Sequence, residues 1–311
     1  MKISIIGAAG VMGSCAAFDL IVHRLPGELV MIDSWASMLK SHWMDLATVG
    51  SEYGVRVRSG TYEDMAGSGI VINMAGAPTG AVAARSEMLP ANLPLIEQHA
   101  AAVNQHCPDA IVLTATNPVD PLNYAMYLLS RNRDRRRILG YSLNDSVRFR
   151  MWAAQALGVE ATRVQGTVIG EHGHSQVMLF STLRLDGKPV EIDAETKARI
   201  RARPPQMLHE FESLVPKRTA GWTSAIGVTT TVRAIVQDSK AVIPTNVVLD
   251  GEYGGRAMSM TVPAVIGKDG MERIIELELS PEEQEGVLAT RRALDPHMRF
   301  VETHLKHPKA G

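Results

Sequence analysis

The sequence predicts an α/β protein: an open parallel sheet wound by helices on both faces, followed by a smaller α+β domain. Three observations predict it. Short apolar runs alternate with helical patterns through the first half of the chain. Glycines crowd the junction between the first run and the first helix. After about residue 142 the alternation gives way to a long helix, paired strands and further helices.

Six runs read as strands of the first half: KISIIGA, ELVMID, the weaker GVRVRSG, GIVINMA, AIVLTAT and RILGYS. Segments such as VMGSCAAFDLIVHRL and LPLIEQHAAAVNQH lie between them with helical spacing. In the second half, DSVRFRMWAAQALG predicts a long helix. IGKDGMERIIELEL predicts two strands around a turn at Asp269-Gly270. Near the end, SPEE predicts a helix start: Ser280 as N-cap, Pro281 at the first helical position, and Glu283 closing a capping box. The expected division is therefore 1–142 and 143–311, with no internal repeat and no low-complexity linker.

Composition narrows the function classes. A chain of 311 residues with 45% hydrophobic and 21% charged residues is ordinary for a globular protein of about two domains. A net charge of -1 gives no push toward nucleic acid or an anionic membrane. Cys15 and Cys107 belong to no CxxC motif, so a disulfide framework and a zinc-cysteine site are not expected, and no metal is assigned. The N-terminus enters a strand at once, and no run of ~18 apolar residues exists to span a membrane. The expectation is a cytoplasmic protein.

GAAGVMG places Gly7, Gly10 and Gly13 between the first strand and the first helix. Glycines there let the backbone turn tightly and let a pyrophosphate reach the helix N-terminus. The usual second glycine of a GxGxxG fingerprint is Ala9 here, and the motif alone also fits a plain strand-helix turn. Asp33 shifts the balance toward a Rossmann-type nucleotide site. It ends the second strand twenty residues after Gly13, where a carboxylate can accept hydrogen bonds from an adenosine ribose. The same charge repels a 2′-phosphate, so NAD is expected rather than NADP. Asp33 also fits a helix N-cap, since a helical pattern follows.

Four more segments carry unusual chemistry. TNPVD (116–120) puts Asn117 at the C-terminal end of a strand, where ligands bind in open parallel sheets. NDSVRFR (144–150) opens a helix with Asp145 and Arg148 on one face. GEHGHSQ (170–176) holds His172 between glycines after RVQGTVI. GAPTGAVAARSE (76–87) is a small-residue loop in which Arg85 is the only cation. Singly, each also fits a structural role: Asp145 at a helix start, Arg148 on a surface, His172 as a buried histidine, Asn117 in a turn.

Taken in order, GAAGVMG, Asp33, AGAP with Arg85 close behind, TNPVD, DSVRFR, GEHG, AVIPTNVVLDGEYG and VPAVIGKDG resemble the lactate/malate dehydrogenase family over nearly the whole chain. The resemblance implies a Rossmann-type NAD-binding domain, 1–142, and an α+β substrate domain, 143–311. It implies reversible hydride transfer between NADH and a small 2-oxo acid, with homodimers or homotetramers as the usual assembly. By the same resemblance His172 is the acid/base residue, Asp145 its carboxylate partner and Arg148 the anchor for the substrate carboxylate. Arg85 is the loop residue that polarises the carbonyl, and Asn117 lies near the nicotinamide ribose and the reacting oxygen. A cis Asn117-Pro118 bond is also implied.

Two positions depart from the family. Thr79 stands where malate-specific members commonly carry arginine and many lactate-specific members glutamine. His174 follows GEHG where aspartate is common; it suits hydrogen bonding around the site better than direct substrate contact. The segment KRTAGWTSA (217–225) is expected to wall the pocket. Strict malate specificity is therefore not expected. The alternatives are a malate dehydrogenase with another cation for the second carboxylate, or a non-catalytic NAD-binding sensor. An NAD- and metal-dependent glycosidase ranks lower, because both cysteines lie in the first domain.

Overall fold

A computed structural model describes residues 1–78, 84–132, 134–214 and 220–306, with backbone alone at 208, 211 and 212. Thr79 and residues 217–219 lie outside the described residues. The first half runs β1 (Lys2–Ile6), α1 (Val11–Val22), β2 (Glu28–Ile32), α2 (Ala36–Tyr53), β3 (Arg56–Ser59), β4 (Ile70–Asn73), α3 (Leu89–His106), β5 (Ile111–Thr114), α4 (Val119–Leu129) and β6 (Ile138–Gly140). The second half runs α5 (Leu143–Leu157), β7 (Val164–Ile169), β8 (Val177–Leu185), β9 (Lys188–Pro189), α6 (Ala194–Leu214), α7 (Gly221–Val236), β10 (Ala241–Asp250), β11 (Arg256–Gly267), β12 (Gly270–Ile274) and α8 (Pro281–Lys306).

The six expected strands of the first half all form and lie parallel, in the order β6-β5-β4-β1-β2-β3. Their contiguous Ile, Val and Leu residues are buried because helices cover both faces. Ile3, Ile5, Ile70 and Ile72 are fully enclosed. The chain order reverses beside β1, between β2 and β4, which opens a crevice at the strands' C-terminal ends. Asp33, Met74 to Pro78 and Thr116 to Pro118 follow β2, β4 and β5 respectively, so all border that crevice.

The sheet does not stop at residue 142. β10 pairs antiparallel with β6, through Asn246 with Gly140 and Val247 with Leu139, and β11 and β12 follow. One nine-stranded sheet thus joins both halves, while β7, β8 and β9 form a separate three-stranded sheet. The β11–β12 hairpin turns one residue earlier than expected, at Lys268-Asp269, with Gly267 opposite Gly270. The Lys268 N–H is held by Asp238 Oδ1 at 2.8 Å, and Gly270 takes φ 96°, as only glycine does readily.

Helix α8 begins as its capping box predicts: Ser280 N–H donates to Glu283 Oε2 at 2.9 Å, and Glu283 N–H to Ser280 Oγ at 3.3 Å. Glu283 also accepts the Ser181 N–H at 3.0 Å and hydroxyl at 2.8 Å, tying α8 to β8. Helix α5 is anchored by Phe149, which meets Phe180 of β8 edge to face at 5.1 Å between ring centroids. Such a pair adds about 0.5–1.5 kcal/mol to the area burial.

Candidate active site

The nucleotide turn is shaped by its outer glycines. Gly7 has φ 89°, and a Cβ there would stand 2.4 Å from the Ala75 nitrogen. At Gly13 a Cβ would stand 2.1 Å from the Gly7 oxygen. Both positions are closed by the protein itself. Gly10 differs: the nearest atom to its Cβ would be 3.4 Å away, so its open side is left for another molecule. Gly10 is also the N-cap of α1, with no side-chain cap and no acid in the first turn. The amides of that turn are free to meet an anion.

Asp33 is held beside this turn. Its Oδ2 accepts the Ala9 N–H at 2.9 Å and its Oδ1 the Trp35 N–H at 2.9 Å. It fixes the turn before α2 rather than capping the helix itself, whose N-cap is Trp35. Its half-buried carboxylate keeps lone pairs for ribose hydroxyls. Turn, carboxylate and uncapped helix end together fit a dinucleotide.

The second cluster is built by contacts between distant elements. The Ser146 hydroxyl of α5 accepts the Val168 N–H of β7 at 2.9 Å, which fixes the helix against the strand leading to His172. Asp145, in the first turn of α5, thereby faces the imidazole, and its Oδ2 lies 2.6 Å from His172 Nδ1. Both residues are buried, at 6% and 4% exposure, so the bond is little weakened by water. Burial alone would raise the Asp145 pKa, but His172 holds it below the ordinary value, with help from Arg85 and Arg148. Burial lowers the His172 pKa, against the pull of Asp145; Arg85 adds to the lowering.

Arg148 lies one helical turn after Asp145, with Nη1 3.9 Å from Asp145 Oδ1 and a mostly buried guanidinium. Burial lowers its pKa against the carboxylate's support. Among the described residues this long contact is its one ion pair, so its planar donor fork is largely unspent. Arg85 arrives from a short 3-10 turn, Arg85–Met88, with Nη1 3.5 Å from the His172 carbonyl oxygen. Two arginines, a carboxylate and an imidazole therefore meet in one place, although they are spread from residue 85 to residue 172.

Asn117 follows β5 at the border of the crevice. Its peptide to Pro118 is cis, as expected. Its Oδ1 is buried without a partner, an acceptor left for a bound group. Its main-chain oxygen accepts Nδ2 of Asn92 at 2.6 Å, while Asn92 Oδ1 accepts the Ala77 N–H at 2.7 Å. Asn92 so joins the strand-end asparagine to the base of the Arg85 loop. Asn92 is not among the candidate site residues that the sequence offers, although a polar residue on the stripe Leu89, Leu93, Ile96 is a legible signal. Nor are Asp120, whose Oδ2 accepts the His172 N–H at 2.9 Å, and Ser146. His174 is exposed, two residues beyond the buried His172.

Family models match nearly the whole chain. Residues 1–140 match a family model described as lactate/malate dehydrogenase, NAD binding domain, and 143–303 one described as lactate/malate dehydrogenase, alpha/beta C-terminal domain. A malate dehydrogenase of Halobacterium salinarum is 34% identical over 289 residues, covering 91% of this chain and 94% of that protein. An L-lactate dehydrogenase of Nitratidesulfovibrio vulgaris is 30% identical over 305 residues, covering 96% and 98%. The crystal structure of a Cryptosporidium parvum lactate dehydrogenase, in complex with lactic acid and nicotinamide adenine dinucleotide, superposes with a TM-score of 0.91 at 28% identity. It covers 97% of this chain and 98% of that one.

Proposed function

This chain belongs to the lactate/malate dehydrogenase family, and on that premise we propose a role for each residue of the cleft and a substrate preference. The protein is an NAD-dependent oxidoreductase acting on the CH–OH group of 2-hydroxy acids. Gly10 and the start of α1 would hold the pyrophosphate in the turn that Gly7 and Gly13 shape, and Asp33 the adenosine ribose. When bound, the nicotinamide supplies or accepts the hydride.

With Nδ1 committed to Asp145 at 2.6 Å, His172 has Nε2 for the substrate. In reduction, Nε2 gives its proton to the carbonyl oxygen as the hydride arrives at the carbonyl carbon, and the ring is left neutral. Asp145 fixes the tautomer and supports the charged ring before transfer. Arg148 grips the substrate carboxylate with two parallel bonds, and Arg85 stabilises the charge that grows on the carbonyl oxygen. Asn117 orients the ribose and the reacting oxygen. The small residues around Arg85 suit a lid that closes over the substrate and excludes water; of that loop, residues 79–83 lie outside the described residues.

The His172–Asp145 bond within reach of Arg148 and Arg85 carries this assignment. His172→Ala tests it: turnover should collapse while NADH binding survives, and near-normal turnover would sink it. Thr79 carries the substrate preference. Between residues 76 and 87 the only cation is Arg85, which is occupied with the carbonyl. A second substrate carboxylate buried there without a partner costs on the order of several kcal/mol. Oxaloacetate is thus not strongly favoured over 2-oxo acids with neutral side chains. Thr79→Arg should shift catalytic efficiency toward oxaloacetate relative to pyruvate and 2-oxoisocaproate. An original enzyme that already prefers oxaloacetate by roughly a thousandfold, about 4 kcal/mol, defeats the proposal.

Assembly into homodimers or homotetramers and a cytoplasmic location complete the proposal. Phe18 of α1, Met44 of α2 and Ile226 of α7 are 49%, 59% and 56% exposed, on helices in mutual contact through α1. Large exposed apolar residues on adjoining helices suit a subunit interface. Among the described residues no helix is long and apolar enough to cross a membrane.

A further inference from the structure

Asp120 is a buried acid for which the proposed reaction has no use. It stands in the first turn of α4 and is 1% exposed. Its two oxygens engage different parts of the molecule. Oδ2 accepts the main-chain N–H of His172 at 2.9 Å, and Oδ1 accepts Nδ2 of Asn246, on β10, at 2.6 Å. Asn246 is fixed in turn: its Oδ1 accepts Nδ2 of Asn123 at 3.2 Å and the hydroxyl of Ser259 on β11. Asn123 Nδ2 also donates to Ser259 Oγ at 2.9 Å. Asn123, Asn246 and Ser259 are fully buried. A helix of the first half, two strands of the second half and the main chain of His172 are thereby joined through one carboxylate.

Such a group is costly for the fold alone. Burial raises the Asp120 pKa, and the neighbouring Glu171 and Asp145 carboxylates raise it further. Among the described residues Asp120 is held by neutral donors and has no ion pair to offset that cost, which invites a functional reason. Anchorage of the chain is not that reason. Gly170, two residues before His172, is already bonded in both directions to Thr261 of β11, at 2.9 and 3.0 Å. Asp120 adds a constraint at the residue that bears the imidazole.

We propose that Asp120, aligned by Asn246, is a positioning residue that holds the main chain of His172 so that Nε2 stays aimed at the substrate. Asp145 fixes the ring at Nδ1, and Asp120 fixes the backbone from which the ring hangs. With one bond the imidazole could still shift with its loop; with both, ring and backbone are held together. The inference rests on His172 being the acid/base residue.

The test is a double-mutant cycle on the full-length protein. Asp120→Ala and Asp120→Asn are each made in the original enzyme and in His172→Ala. Single-turnover reduction of a 2-oxo acid and NADH affinity are measured for all. A misplacement of about 1 Å at a reacting group costs on the order of 100-fold. Asp120→Ala should therefore slow the original enzyme about 10- to 100-fold. NADH affinity should change by less than about threefold. Asp120→Asn should fall between, since its amide oxygen still accepts one N–H while its amino group opposes that of Asn246. In the His172→Ala background the same changes should cost almost nothing, because the residue they act through is gone. Equal losses in both backgrounds, or no loss in the original enzyme, overturn the proposal. Where Asp120→Ala does not fold, Asp120→Asn and Asn246→Ala complete the cycle. A second readout needs no turnover: the His172 Nδ1–H signal in 15N-histidine-labelled protein, assigned by its loss in His172→Ala. It should broaden or exchange faster in Asp120→Asn, and an unchanged signal overturns the proposal. If instead His172→Ala proves fully active, the acid/base assignment fails by itself, visibly separate from the cycle.

Discussion

Replacing Asp145 by asparagine removes one charge from the site and almost no volume. The lost interaction is a charge-assisted hydrogen bond of 2.6 Å between two residues that are 6% and 4% exposed. Hydrogen bonds to charged groups contribute about 1.5–3 kcal/mol, which is roughly one to two pKa units on the imidazole. The sign follows from the neighbours. Burial already lowers the His172 pKa, Asp145 opposes that, and Arg85 and Arg148 reinforce it. Without the carboxylate, only the lowering influences remain. With His172 as the proposed proton donor, reduction of a 2-oxo acid needs the protonated ring, so its rate falls as pH rises through the His172 pKa. At neutral pH, above that pKa, each unit of further lowering removes about tenfold of the protonated form. Asp145→Asn should therefore reduce kcat/KM for reduction by about 10- to 100-fold at pH 7 and move the descending limb of the pH profile downward by one to two units. Oxidation of the hydroxy acid needs the neutral ring, so its profile should rise over the same range and shift in the same direction. The assay is kcat/KM for both directions between pH 5 and 9, with NADH affinity as a control. A loss below about threefold with an unmoved profile would refute the assignment of Asp145 as the charge partner of His172.

Three further outcomes are expected. Arg148→Lys keeps the charge but loses the planar fork, so KM for the 2-oxo acid should rise about 10- to 100-fold, with a smaller change in kcat, in steady-state assays; an unchanged KM removes Arg148 as anchor. Gly13→Ala puts a Cβ 2.1 Å from the Gly7 oxygen and 2.8 Å from the Ala8 Cα, so the first turn of α1 must move away from the turn at Gly7 and Ala8. Stability should fall by about 1–3 kcal/mol in thermal unfolding, and NADH should bind more weakly in titration. Glu252→Gln tests the bidentate pair with Arg135, whose bonds are 2.8 and 3.1 Å. Burial works against the ionised carboxylate, yet Arg135 and the Asp250 N–H lower its pKa to about 2. A depressed pKa gives stability that is present above the unfolded value, about 4.3, and lost as pH falls through the folded one. After discounting for solvent screening, the variant should be about 1–2 kcal/mol less stable than the parent in urea at pH 7, a gap that closes between pH 4.5 and 2.

Local chemistry determined much of this protein before any contact was known. The apolar runs of β1, β2, β4 and β5 announce strands because contiguous branched residues suit a sheet covered on both faces. The turn at Gly7 and Gly13 and the box opening α8 are each written within a few residues of chain. Local contacts specify them, such as the approach of Gly13 to the Gly7 oxygen and the Ser280–Glu283 bonds; the acid ending β2 is legible by its place, but its bond to Ala9 crosses 24 positions. The sequence also named Asp145, Arg148, His172 and Arg85, but as separate motifs. Their meeting is a tertiary fact: Ser146 docks α5 on β7, and only then does Asp145 face His172 across 27 positions of chain. The attachment of β10 to β6, which extends the sheet beyond residue 142, is likewise non-local, since a strand edge accepts any partner of suitable register. Asn92, Asp120 and Asn246 were the least legible. Asparagine and aspartate fit turns, caps and surfaces equally well, and nothing near them in sequence tells a buried clamp from a solvated side chain. Only the fold, by bringing Asn246 within 2.6 Å of Asp120 across a separation of 126 positions, gives those residues something to hold.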